Sequence, residues 1–104
     1  MEFEPLDRIK SVALELKLLK CINDGEMYPY ALLKDFKESR FGRFKVTKSD
    51  IYNAIASLEK KRYIKIAKRK GAKKYYRITS EGKDVLKESK KILLQTLRDI
   101  SKIL

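Results

Sequence analysis

Apolar residues return at helical spacing in several stretches of this chain and at strand spacing in one. From Leu6 to Ile22, the positions Ile9, Val12, Ala13, Leu16, Leu19 and Ile22 make one helical stripe, and Leu14, Leu18 and Cys21 make a second. Pro5 suits a first turn and Asn23-Asp24-Gly25 a stop. A surface helix needs only one apolar stripe. Two stripes predict either a helix central to a small core or one that packs one stripe inside and turns Leu14 and Leu18 to a partner subunit. A shorter helix is predicted from Tyr28-Pro29 to about Lys37, with Pro29 in the first turn and Leu32, Leu33 and Phe36 inward. Residues 38–46 then read as a loop broken at Gly42 and anchored by Phe41, Phe44 and Val46.

The stretch Thr47 to Lys60 has the sharpest division of faces. Ile51, Ala54, Ile55 and Leu58 repeat at i, i+3, i+4 and i+7 and point inward. Thr47 (or Ser49) suits the N-cap, with Asp50 in the first turn facing the helix dipole. Lys48, Ser49, Tyr52, Asn53, Ala56 and Ser57 are left outside. A solvated face is usually filled with Lys and Glu. Short polar side chains with one Tyr and one Asn let a helix sink into a groove and bond to base edges and phosphates.

Strand-like alternation follows, Ile64 and Ile66 with Lys65, then Tyr76 and Ile78 with Arg77, around a turn at Gly71-Ala72. Thr79-Ser80-Glu81 starts a last helix that runs to the end of the chain. On it Leu86, Leu93, Leu97, Ile100 and Leu104 fall on a heptad-like seam, with Lys90 in the polar slot. A 104-residue chain has little left to cover so long a stripe. A second copy is the economical cover, which makes Leu14, Leu18, Leu86, Leu93, Leu97, Ile100 and Leu104 the expected dimer interface.

Charge changes this picture most. The 26 Lys and Arg exceed the 14 Asp and Glu by 12. Residues 34–77 hold 16 of the basic and four of the acidic residues, so the flanks are neutral and the whole excess lies around the Thr47 helix and its hairpin. The turn segment KRKGAKK has five basic residues and no acidic one. Like charges on a hairpin tip repel, unless a polyanion meets them. Lys45, Thr47, Lys48, Ser49, Tyr52, Asn53, Ser57, Lys68, Lys70, Gly71, Lys73 and Lys74 are therefore the candidate DNA contacts. Lys48, Ser49, Asn53 and Ser57 suit bases; Thr47, Tyr52 and the hairpin lysines suit phosphates.

Other chemistry is thin. There is one cysteine, Cys21, and no histidine, which excludes an internal disulfide and leaves only oxygen ligands for a metal. No phosphate-cradling glycine loop or clustered carboxylate site argues for an enzyme. No cofactor or metal is expected. No signal peptide or membrane-length apolar run is legible, so a cytoplasmic setting is expected.

Three helices, a basic hairpin and a final helix make a mainly α fold with a small β-hairpin, the winged helix-turn-helix arrangement. SDIYNAIASLEKKRYI followed by KRKGAKKYYRITSEGK resembles the PadR family of transcriptional regulators. The resemblance rests on Ile51-Tyr52, Ile55 and Leu58-Glu59 in one motif and on Tyr75-Tyr76-Arg77-Ile78-Thr79 with Gly82 in another. Where family members often carry His-Gly-Tyr-Glu-Leu, this chain has Tyr28-Pro29-Tyr30-Ala31-Leu32. The single C-terminal helix is similar to the family's short subgroup. The resemblance implies a homodimer on a pseudo-palindromic operator, usually as a repressor. It places the Thr47 helix in the major groove and the hairpin, as a wing, on the backbone or minor groove. Some relatives stack planar effectors on tryptophan; this chain has none, and no effector is inferred. The expected division is a DNA-binding domain over residues 1–78 and a dimerisation helix over 79–104. The competing reading is a sequence-independent chromatin or RNA binder, because charge supplies affinity without specificity.

Overall fold

Two threonines start two of the long helices in the computed structural model, which describes residues 4–33 and 45–104, with side chains from Arg8 onward. The elements run α1 (Glu4–Asp24), a 3-10 turn (Pro29–Leu32), α2 (Lys48–Lys60), β1 (Ile64–Lys70), β2 (Lys73–Ile78) and α3 (Ser80–Ile103). The second predicted helix opens as that 3-10 turn. Its expected continuation to Lys37, with Phe36, and the loop positions Phe41, Gly42 and Phe44 lie outside the described residues.

Thr47 and Asp50 form a reciprocal capping box at the head of α2. The Thr47 hydroxyl accepts from the Asp50 N–H at 3.2 Å, and the Asp50 carboxylate accepts from the Thr47 N–H at 2.8 Å. At the other end, the Arg62 N–H donates to the Glu59 carbonyl and the Tyr63 N–H to the Leu58 carbonyl. Arg62 sits in the left-handed region (φ 63°) that this Schellman ending requires and that glycine usually fills.

β1 and β2 pair antiparallel, Ile64 opposite Ile78 and Ile66 opposite Tyr76. A bulge between Ile66 and Lys68 then resets the register, so Lys68 faces Tyr75 and Lys70 faces Lys73. Gly71 takes a positive φ of 59° as the first residue of the two-residue turn, the position where a II′ hairpin wants glycine. Met27 bonds to the free edge of β2, its N–H and carbonyl exchanging hydrogen bonds with Tyr76. A single residue thus ties the start of the 3-10 turn to the wing, too short a strand for sequence alternation to announce.

The core joins α1 to α2 and the hairpin: Leu14, Leu18, Leu19 and Ile22 meet Val46, Ile51, Ala54, Ile55, Leu58, Ile64 and Tyr76. This corrects the expectation for α1. Leu14 and Leu18, predicted to face a partner, are 2% and 0% exposed and have no surface left to give. Ile9 and Val12, from the other stripe, are the outward ones at 56% and 50%. Both stripes were apolar, so periodicity defined the helix without choosing its inner face. Where α2 and β2 press on α1 made the choice. Leu86 is also drawn partly under its own core, beside Val85.

α3 is anchored at its first turn. The Thr79 hydroxyl accepts from the Gly82 N–H at 3.0 Å and donates to the Arg62 carbonyl at 2.7 Å, and the Thr79 N–H donates to the Tyr63 carbonyl. Gly82 is buried against that same Tyr63 carbonyl. From Lys90 onward every residue of α3 is exposed.

Candidate nucleic-acid interface

α2 is held at a fixed attitude by contacts at both ends. Lys10 of α1 pairs with Asp50 at 3.0 Å, and Glu15 of α1 meets Lys61 at 3.5 Å. Burial works to raise the Asp50 carboxyl, but the Thr47 N–H, the Lys10 ammonium and the Thr47 hydroxyl outweigh it and hold the group below the ordinary aspartate value. Asp50 therefore stays a carboxylate turned to its own cap rather than a negative charge left to repel a nucleic acid.

A side chain on the far flank of α2 fastens it to the wing. The Tyr76 hydroxyl donates to the Glu59 carboxylate at 3.1 Å. Burial first, then this hydrogen bond and the charge of Glu59, push the Tyr76 hydroxyl up to about 12. A raised folded value means the stabilisation is complete below the ordinary tyrosine range near 10 and is lost as pH climbs towards 12. An ultraviolet phenolate titration should show a late step near pH 12 with cooperative unfolding accompanying it, and Tyr76→Phe should remove that step.

Between them, α2 and the wing enclose a cleft of about 240 Å³, lined by Tyr28, Pro29, Tyr30, Tyr52, Ile55, Ala56, Glu59, Ala72, Lys74 and Tyr76. It brings Tyr52 on the outer face of α2 to Lys74 of the wing. Around it, three lysines rest on aromatic rings: Lys48 at 5.6 Å from the Tyr30 centroid, Lys73 at 5.4 Å from Tyr28 and Lys68 at 5.1 Å from Tyr75. Lys68 also reaches Glu26 at 3.9 Å. By sequence alone the wing lysines are equivalent. The fold separates Lys68, already engaged by a ring and a carboxylate, from Lys70 and Lys74, which have no ion-pair partner among the described residues.

The remaining candidates fall on the same elements. Lys45, Thr47, Lys48, Ser49, Tyr52 and Asn53 are exposed, Tyr52 at 64%. Ser57 is half-buried, and with Asn53 it lines a shallow groove against Lys10, Ser11 and Glu15 of α1. Ser57 is thus turned further towards α1 than the helical pattern implied. Gly71 is exposed at the wing tip. Tyr28 and Tyr30, absent from the predicted set, are brought in by the Met27 bridge, and nothing in the neighbouring sequence, which has no basic residue from 21 to 33, pointed to it. Among the described residues no cluster of side chains could hold a metal ion, and no helix is long and apolar enough to cross a membrane.

Comparison with known proteins matches this arrangement to a family. The sequence profile of the transcriptional regulator PadR-like family matches residues 18–88, from the middle of α1 through the wing into α3. The chain belongs to the PadR-like family. A transcriptional regulator from Clostridium thermocellum is 27% identical and superposes with a TM-score of 0.73, covering 100% of this chain and 99% of its own. A PadR family transcription regulator from Clostridium difficile is 26% identical, with a TM-score of 0.65 over 86% of this chain and 92% of its own. A PadR family regulator from Eggerthella lenta, at 22% identity, shares the fold with a TM-score of 0.77 over 94% of this chain and 87% of its own. No curated protein matches the chain. As a PadR-like chain it is a DNA-binding transcriptional regulator with a winged-helix fold, and not an enzyme.

Proposed function

We propose that the chain acts as a homodimeric repressor on a pseudo-palindromic operator, with α2 in the major groove and the wing on the backbone or minor groove beside it. The observation that carries this reading is the shared cleft: Tyr52 and Ala56 on the outer face of α2 and Lys74 of the wing border one concavity, so one duplex surface can touch both. Lys48, Ser49 and Asn53 supply base contacts. Lys45, Thr47, Tyr52, Lys70, Gly71, Lys73 and Lys74 supply backbone contacts. A protein bound across a promoter represses by blocking access to it.

The dimer rests on α3. Leu93, Leu97, Ile100 and Leu104 continue the heptad seam in the open, Leu97 at 62% exposure. Ile92 and Ile103 are exposed too and widen the apolar face beyond one seam. A face that broad needs two neighbours, which the partner's α3 and the outward Ile9 and Val12 of the partner's α1 would provide. In this reading residues 1–78 bind DNA and residues 79–104 dimerise.

Recovering and sequencing genomic fragments bound by the protein tests the whole reading. An inverted repeat with half-sites about one helical turn apart is expected; equal recovery of all sequences would favour the sequence-independent binder. Asn53→Ala should relax preference at one base position, at a cost of about 1–3 kcal/mol. Uniform weakening across sequences would place Asn53 on phosphate. Leu97→Lys should shift the solution mass from dimer to monomer, and an unchanged mass would remove α3 from the interface.

A further inference from the structure

The cleft between α2 and the wing has a feature that wing and helix contacts alone do not require. Three tyrosines, Tyr28, Tyr30 and Tyr52, line it, and none of their hydroxyls has a hydrogen-bond partner among the described residues. Tyr76, on the inner wall, has already given its hydroxyl to Glu59. The Tyr28 and Tyr30 rings meet edge to face at 5.7 Å, which fixes both by packing. Their neighbours are cationic: the ammonium groups of Lys48 and Lys73 lie over the Tyr30 and Tyr28 rings, and Lys74 lines the cleft itself.

We propose that this cleft seats one backbone phosphate of duplex DNA, with the Tyr28, Tyr30 and Tyr52 hydroxyls as donors and Lys73 and Lys74 around them. The proposal rests on the DNA-binding reading and adds Tyr28 and Tyr30 to it. A phosphate suits the site because a phosphodiester is acceptor-only and anionic, while the unengaged groups here are neutral donors and cations. The one carboxylate in the lining, Glu59, already accepts the Tyr76 hydroxyl and lies seven residues along α2 from Tyr52, so the favourable place for an anion is beside Tyr52 and Lys74. Burial, and then the nearness of Tyr52 and Tyr28, raise the Tyr30 hydroxyl above its ordinary value and keep it a donor. Lys73 need only slide from the Tyr28 ring to the phosphate, so little ordering of that side chain is left for the moment of binding.

Hydroxyls and ammonium groups separate cleanly in a salt series. Each cation set on a phosphate releases counterions and steepens the salt dependence, whereas a neutral hydroxyl adds affinity with no change of slope. The experiment measures binding of the full chain and its Tyr28→Phe and Tyr30→Phe variants to a fluorescein-labelled mixed-sequence duplex across a range of KCl. Tyr63→Phe, outside the cleft, serves as the control, and thermal melts confirm that each variant is folded. Each cleft variant should bind about tenfold more weakly at every salt concentration with an unchanged slope, while Tyr63→Phe binds as the parent does. The parent's loss on ethylating one backbone phosphate should be absent in the double variant. If the folded cleft variants bind like the parent while Lys74→Ala still flattens the slope, the hydroxyls do not hold the phosphate and the proposal is overturned, with DNA binding intact. If the parent binds no duplex, the DNA reading fails and the proposal with it.

Discussion

Replacing Lys70, Lys73 and Lys74 together by glutamate should weaken binding to any duplex by about a thousandfold or more at physiological salt, with little change in folding. Three cations set against the phosphate backbone account for a slope of roughly 2 to 3 in a plot of log affinity against log salt, and reversal adds repulsion to their loss. The fold should tolerate the change because all three side chains are exposed at the wing tip. Lys70 and Lys73 stand directly opposite each other across the hairpin, where like charges cost stability. The neutral triple variant, each lysine made glutamine, should therefore flatten the slope by the same amount while leaving the melting temperature equal or slightly higher. Stability and affinity moving in opposite directions would show that the tip lysines serve a partner rather than the chain. A triple glutamate variant that binds as the parent does would take the wing off the DNA.

Gly82→Ala should destabilise the protein by about 3 kcal/mol, lowering its melting temperature by roughly 15 °C. Helix propensity predicts the opposite, since alanine in place of glycine inside a helix gains about 1 kcal/mol. What reverses the sign is the close approach at the head of α3. A Cβ on Gly82 would fall against the Tyr63 carbonyl oxygen and within 2.7 Å of Ile78 Cγ1. That carbonyl cannot retreat freely, because it accepts the Thr79 N–H at 3.0 Å and sits at the close of the Schellman ending of α2. Moving it would disturb the cap of α3 and the exit from α2 together. Calorimetry decides the matter, and a melting temperature equal to or above the parent's would mean the contact relaxes at no cost. The Thr-x-x-Gly of the family-like motif thus has a physical reading: threonine caps the helix, and glycine lets it pass over the Tyr63 carbonyl where the chain leaves α2 for the wing.

Much of this was legible before the fold. Thr47 with Asp50, the Gly71 turn and the Thr79 cap act within four residues of themselves, so their chemistry can be read from spacing alone, whereas the reason for Gly82, the Tyr63 carbonyl, lies 19 residues away. The inward set Ile51, Ala54, Ile55 and Leu58 was legible for a related reason, since α2 has only one apolar face and any packing must bury it. The localised positive charge and the PadR-like motifs pointed to the same face of the molecule.

Contacts between distant segments were not legible in that way. α1 has two apolar stripes, and the choice of Leu14 and Leu18 for the core, leaving Ile9 and Val12 outside, depends on where α2 and β2 come to rest. The single-residue bridge of Met27 to Tyr76 has no periodicity to betray it, yet it carries Tyr28 and Tyr30 to the edge of the cleft. Lys68 differs from Lys70 only because Glu26 and Tyr75 happen to lie beneath it. Spacing along a helix or strand reports which side chains share a face, and so it specified α2, the wing and their charge. Which faces meet is a property of the packed chain, and packing is what turned a row of tyrosines and lysines into one donor-lined cleft.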